Sequence, residues 1–159
     1  MWGPKLEMEL PIMRLTRFTD YSLRVLIYLG QNNESRVTIQ QISDAYDISK
    51  NHLMKVVSNL TRLNFVVAQR GPGGGIQLNR PASEIGLHQV IGKTEKHLQN
   101  IDTASDSVAN ESSADSQLDL ILQHALQAYL AELKHFTLAD VLTPKSKASQ
   151  ILELKTRAA

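Results

Sequence analysis

"SKNHLMKVVSNLTRLNFVVAQRGPGGGIQL", residues 49 to 78, changes its periodicity partway along. In the first half Leu53, Val56, Val57, Leu60 and Leu63 recur at helical spacing, whereas Lys50, Asn51, His52, Lys55, Asn59 and Arg62 fall on other faces, and Ser49 supplies an N-cap. Past Asn64 the composition turns β-branched and aromatic in "FVVAQ", and "IQL" offers a return strand. Between the two, four of the five residues 71 to 75 are glycine and the fifth is Pro72. Such a cluster would dissolve a helix. It suits a hairpin tip, because glycine accepts positive φ and lets the backbone approach a neighbouring surface with no Cβ in the way. An ordinary two-residue turn needs only one or two glycines, so the surplus points to a loop that lies against something.

Working outward, Thr38 is an N-cap for "TIQQISDAY", with Gln41 in the reciprocal capping-box place and Ile39, Ile42 and Ala45 expected on one face. A break at "YDIS" separates this run from the helix that Ser49 caps, so the pair forms a helix-turn-helix candidate. A helix-turn-helix followed at once by a basic-flanked hairpin is the order of parts in a winged helix. Upstream, Phe18, Tyr21 or Ser22, Val25, Leu26 and Leu29 predict a first helix from Thr16 or Thr19, closed by Gly30. Downstream, "GLHQVIGKTE" predicts a short helix with Leu87, Val90 and Ile91 inward, and Thr137 caps a brief "TLADVL" turn.

Between those two lies a longer helix, expected over residues 116 to 135. Its apolar residues (Leu118, Ile121, Leu122, Ala125, Leu126, Tyr129, Leu130, Leu133) make a face too broad for one contact within a small chain. A second copy would cover it, which makes Leu118, Ile121, Leu122, Ala125, Tyr129 and Leu133 the candidate homodimer interface. The expected divisions are a leader or expression remnant (1 to 12), a winged helix-turn-helix domain (13 to 82), a connecting helix (83 to 97), a polar loop (98 to 115), the dimerisation helix with its cap (116 to 143) and a tail (144 to 159). The fold class expected is mainly α, with one small β-hairpin wing and a long C-terminal dimerisation helix.

Composition narrows the function. The chain of 159 residues is 42% hydrophobic but only 5% aromatic, which favours packed helices over a large sheet. With no cysteine there is neither disulfide nor thiolate ligand, and a cytoplasmic location is the default expectation. No apolar run approaches the ~20 residues of a membrane span, so no membrane partner is expected. The net charge of +1 hides a division: residues 13 to 80 carry nine Lys or Arg against four Asp or Glu, and residues 81 to 159 carry seven against ten. A basic front half points to a polyanion. The five histidines show no HExxH spacing and "GPGGG" lacks the Lys-Ser/Thr ending of a P-loop, so an enzyme is not expected.

In the reading favoured here, double-stranded DNA is the partner. The helix beginning at Ser49 enters the major groove, where Asn51 and His52 can bond base edges and Lys50 and Lys55 can reach phosphate or guanine, with Ser49 holding a phosphate as it caps the helix. Arg70 at the root of the glycine tip would place its guanidinium in the minor groove, where negative potential concentrates. Two readings of other classes stay open: a protein-interaction module that docks an acidic surface, and a small-ligand sensor built on a winged helix.

Four stretches, "MRLTRFTDYSLRVLIYL", "ISKNHLMKVVSNLTRLNFV", "RGPGGGIQLNRPASEI" and "FTLADVL", resemble in order and spacing the Rrf2 family of bacterial winged-helix repressors, its nitric-oxide-sensing branch most of all and its iron-sulfur biogenesis regulators as cousins. The match runs from Met13, the natural start it implies, to Leu142. It implies a homodimeric repressor on palindromic operators, with Asn51, His52, Met54 and Lys55 as base readers, Arg70 as the minor-groove arginine and the glycine wing (Gly73, Gly74, Gly75) against the backbone. Sensors in the family hold an iron-sulfur cluster on three loop cysteines, joined in the nitric-oxide sensors by an aspartate of the partner's first helix. Asp20 matches that aspartate, but the cysteines are absent, with Ser105, Asn110 and Ser116 near their places. Serine would not hold a soft iron-sulfur centre, so no cofactor is expected and Asp20 is a vestigial ligand candidate.

Overall fold

Thr16 opens the first helix by accepting the Thr19 N–H on its Oγ1 at 3.3 Å. Helix α1 (Arg17–Gln31) follows in the computed structural model, which describes residues 15–98 and 114–143. The expected leader and tail, and nearly all of the expected 98 to 115 loop, lie outside the described residues. α1 buries Thr19, Ser22, Val25, Leu26 and Leu29, one stripe at helical spacing. Gly30 does not close it. The helix runs on to Gln31 and is capped by Asn32, and Gly30 instead makes room for Leu142, one methyl of which would lie 2.4 Å from a Cβ at that position.

The helix-turn-helix is α2 (Ile39–Tyr46) and α3 (Lys50–Arg62). Both halves of the Thr38 capping box form: Gln41 N–H donates to Thr38 Oγ1 at 3.2 Å and Thr38 N–H to Gln41 Oε1 at 2.8 Å. Ala45 is exposed, contrary to the expected stripe, because Tyr46 takes the inward place four residues after Ile42. Asp47, left-handed at φ 54°, turns the chain into α3, and Asn64, at φ 61°, turns it out. Val66–Gln69 (β1) and Gly75–Leu78 (β2) then pair antiparallel, Val66 opposite Leu78 and Gln69 opposite Gly75.

The hairpin is anchored at a place the sequence reading left out. Val37, just before α2, bridges to Ile76: Val37 N–H donates to Ile76 O at 2.9 Å and Ile76 N–H to Val37 O at 2.7 Å. With Phe65 fully buried at the other strand's root, the wing is fastened to the helical core that Leu26, Ile42, Leu53, Leu60 and Ile76 share.

After α4 (Leu87–Thr94), in which Val90 and Ile91 are buried and Leu87 only half-buried, α5 spans Ala114–Leu133 and α6 Leu138–Leu142. The chain returns to its own front half here. Leu138 N–H donates to Ile85 O at 2.8 Å, Leu87 N–H donates to Phe136 O at 3.0 Å, and Leu138 is fully buried in the winged-helix core. The winged-helix core therefore draws in Leu138 and Leu142 from late in the chain, together with Ile85 and Val90. A smaller cluster joins Ile91 and Leu98 to Leu15, Leu23, Leu126, Tyr129, Leu130 and Leu133. Glu95, just past α4 and 1% exposed, accepts the Thr16 N–H at 2.7 Å and the Thr16 hydroxyl at 3.1 Å on its Oε1. A carboxylate at a helix N-terminus meets the positive end of the helix dipole as well as an orphan N–H.

Gly75 tests how the wing is seated. At φ 146°, with a Cβ placed 2.9 Å from Val37 O, it has neither the conformation nor the room for a side chain. Gly75→Ala is expected to lower the unfolding free energy by about 1–3 kcal/mol in urea denaturation.

Candidate nucleic-acid interface

Ser49 Oγ accepts the His52 N–H at 3.3 Å, so α3 starts at the residue the capping chemistry predicts. Leu53, Val56, Val57 and Leu60 bury one face of the helix, and that fixes which side chains are left outside: Lys50, Asn51, His52, Met54 and Lys55 are all exposed, as is Ser49 itself. Met54 is 50% exposed. A shallow groove follows this flank past the predicted residues, lined by Asn51, Met54, Lys55, Ser58, Asn59 and Arg62. Ser58, Asn59 and Arg62 were missing from the expected set. Ser58 and Asn59 lie i+3 or i+4 from Met54 and Lys55, and Arg62 lies the same steps beyond Asn59 and Ser58, a spacing that is the signal that finds them.

His52 is less free than its exposure suggests, since its ring lies 6.1 Å from that of Tyr21 on α1, tilted by 41°. α1 touches the helix-turn-helix a second time through Arg24, whose guanidinium lies 5.6 Å from the centre of the Tyr46 ring at the end of α2. Burial raises the Tyr46 phenol above its ordinary pKa, against the opposing pull of Arg24. The same guanidinium pairs with Asp20 at 2.8 Å. Asp20 is thus held on its own helix by a surface ion pair.

At the wing, Arg70 is exposed, with no hydrogen bond or ion pair among the described residues. The glycines beyond it divide in two. A Cβ at Gly71 or Gly73 would meet nothing within 4 Å, and both residues have positive φ, so the tip is open. Gly74 has no room, since a Cβ there would stand 2.4 Å from Gln69 O, and Gly75 lies against Val37. Gly74 and Gly75 are accordingly what the turn and its seat on Val37 require, while Gly71 and Gly73 are left at the open tip. Folding also brings up a cation the sequence reading did not place: Arg36, exposed in the segment before α2, donates to the Gln69 side-chain oxygen on β1. Lys50 and Lys55 on α3 and Arg36 and Arg70 about the wing form the basic part of the candidate interface.

The expected dimer residues fall into two sets. Leu118, Ile121 and Leu122 are 54%, 65% and 56% exposed and Ala125 is also exposed, whereas Tyr129 and Leu133 are half-buried in the chain's own smaller cluster.

The donor set for an iron-sulfur cluster does not fit. The whole sequence has no cysteine, and Asp20 is engaged by Arg24. Among the described residues no group of three or more His, Asp or Glu could hold a metal ion, and no helix is long and apolar enough to cross a membrane.

Residues 15 to 144 match the profile of the Rrf2 family, described as an iron-dependent transcriptional regulator. The chain is 42% identical over 146 residues to the HTH-type transcriptional regulator NsrR of Bacillus subtilis strain 168, with 90% of this chain and 99% of the relative covered. Among solved structures it shares its fold with the global cysteine regulator CymR of B. subtilis (TM-score 0.62, 21% identity, covering 82% of this chain and 97% of that one). IscR of T. potens has the same fold (TM-score 0.68, 20% identity, 87% and 92% covered). A matched profile over nearly all described residues, a full-length relative and the winged helix together establish that the chain belongs to the Rrf2 family of transcriptional regulators, close to NsrR.

Proposed function

We propose that the protein is a homodimeric repressor that binds palindromic operators in double-stranded DNA, with α3 in the major groove and the wing in the adjacent minor groove. The observation that carries this reading is the exposed flank of α3. Its core face is fully committed to packing, while Asn51, Met54, Lys55, Ser58 and Arg62 stand together on the outside. Asn51 is a side chain that can read adenine bidentately, Lys50 and Lys55 neutralise phosphate or reach guanine, and Arg70 supplies a guanidinium to the minor groove. Ser49 and the open glycine Gly73 approach the sugar-phosphate backbone, and Gly74 and Gly75 hold the tip in place.

Dimerisation through the exposed part of α5 supports the same reading. A small monomer seldom leaves three neighbouring large aliphatic side chains more than half exposed, and a second α5 laid across Leu118, Ile121, Leu122 and Ala125 would cover them. Two-fold pairing sets two reading helices on half-sites roughly one helical turn, ~34 Å, or a multiple of it, apart. No catalytic role accompanies it. The stress response of the nitric-oxide type stays within this proposal by kinship with NsrR, but in this chain it would operate without a thiolate-held cluster.

Binding to duplex DNA should weaken steeply with salt, and Arg70→Ala should cost about tenfold in affinity and lower the salt slope by about one. Asn51→Ala should instead cost about 1–3 kcal/mol on the operator alone and relax discrimination at one base pair. Salt-independent binding that neither substitution alters would favour a protein-interaction module. In sedimentation, Ile121→Asp is expected to convert the dimer to a folded monomer at micromolar concentration; an unchanged dimer would move the interface off α5.

A further inference from the structure

His52 is an exposed residue in the first turn of α3, yet it stands apart from the groove that Asn51, Met54 and Lys55 line. One residue on from Asn51, its side chain leaves the helix about 100° further round, and there its ring meets α1. The centroids of the His52 and Tyr21 rings lie 6.1 Å apart with their planes at 41°, a separation at which tilted aromatic rings attract one another. The backbone is fixed as well, because the His52 N–H donates to Ser49 Oγ at 3.3 Å. A freely rotating imidazole would give up rotamer freedom on meeting a ligand. This one has given up part of it already.

The ring it leans on is itself well held. Tyr21 is half-buried and packs on the winged-helix core. Further along the same helix Arg24 lies over the Tyr46 ring at 5.6 Å, and Tyr28 meets that ring edge-on with centroids 6.0 Å apart, so α1 is fastened to both helices of the helix-turn-helix. A rigid platform therefore decides where the imidazole stands. A helix lying in the major groove turns the middle of its outer flank to the base edges and its sides to the sugar-phosphate walls. An imidazole held on the α1 side of that flank stands at a wall. Neutral or protonated, it keeps an N–H to donate, which suits a phosphate oxygen and requires no particular base.

We infer that, with α3 in the major groove as proposed above, Tyr21 is a positioning residue whose ring holds the His52 imidazole against the side of the groove, where its N–H bonds a backbone phosphate and not a base edge. His52, expected from the family resemblance to read a base, then fixes how α3 sits on the duplex and leaves the choice of bases to Asn51 and its neighbours along the groove. α1 thereby takes part in DNA binding without touching the DNA.

The test compares the wild type with His52→Ala, Tyr21→Leu, Tyr21→Phe and the double variant His52→Ala with Tyr21→Leu, by fluorescence titration of two probes. One is a duplex selected by the protein from a random pool, together with its single-base-pair variants; the other is the unselected pool at low salt. His52→Ala is expected to weaken both probes by the same factor, about threefold to tenfold for one hydrogen bond, and to leave the ranking of the base-pair variants unchanged. Tyr21→Leu, which keeps apolar bulk but removes the ring, should cost about threefold and nothing further once His52 is alanine, whereas Tyr21→Phe should stay within about twofold of the wild type. In the DNA-free protein, Tyr21→Leu should shift the His52 ring-proton resonances by removing the Tyr21 ring current, with the circular dichroism spectrum unchanged. A lost preference at one base pair in His52→Ala would overturn the assignment by making His52 a base reader. Multiplying losses in the double variant, no loss in His52→Ala on either probe, or unmoved His52 resonances would overturn it too. A wild type that binds neither probe, or whose binding Asn51→Ala and Arg70→Ala leave unaltered, would instead remove the DNA-reading surface itself, and the inference with it.

Discussion

The paired hydrogen bonds between Val37 and Ile76 hold the candidate interface together. One end belongs to the segment that leads into the helix-turn-helix, the other to the returning strand of the wing. Without them the hairpin would be a two-stranded ribbon joined to the helices by its ends alone, and such a ribbon is marginal in water. With them, α3 and Arg70 are two parts of one surface. The constraint also sets the sequence around it. Gly75 must lack a side chain because Val37 O lies where a Cβ would go, and Arg36 is carried to the side of β1.

A second constraint is the way the C-terminal part divides its duties. The later half of α5 packs Leu126, Tyr129, Leu130 and Leu133 onto the chain's own Ile91 and Leu98, and α6 inserts Leu138 into the winged-helix core. Only the earlier half of α5 is left with large aliphatic side chains exposed. The helix proposed to join two subunits is therefore rigidly coupled to the core that orients α3, and a spacing between half-sites follows from that coupling. Glu95 strengthens the joint, since a buried carboxylate at the end of α4 caps the start of α1.

Much of this was legible in the residues. Capping chemistry at Thr38 and Ser49 placed two helix starts, apolar spacing left the first helix to begin at Thr16 or Thr19, and the shift from helical to strand-like composition after Asn64 placed the wing. What was missed is tertiary. Gly30 reads as a helix stop, yet it is a contact with Leu142, more than a hundred residues away in sequence. Ala45 fits an apolar stripe as well as Tyr46 does, and only packing against the core chooses between them. The surplus glycines pointed to an outside surface, but two of the four answer to the turn's own carbonyls and to Val37. The expected base-reading set stopped at Lys55, although the same flank goes on to Arg62, because attention to a helix's first turns overlooks how long a groove the rest of it can follow.

The central claim is that α3 and the wing act as one DNA-reading surface, presented twice by a two-fold dimer. Selection of bound duplexes from a random pool by the full-length protein tests it most directly. The account predicts enrichment of an inverted repeat with half-site centres ~10 base pairs, or a multiple of that, apart. A pool that stays random, or a single unpaired half-site, would contradict it.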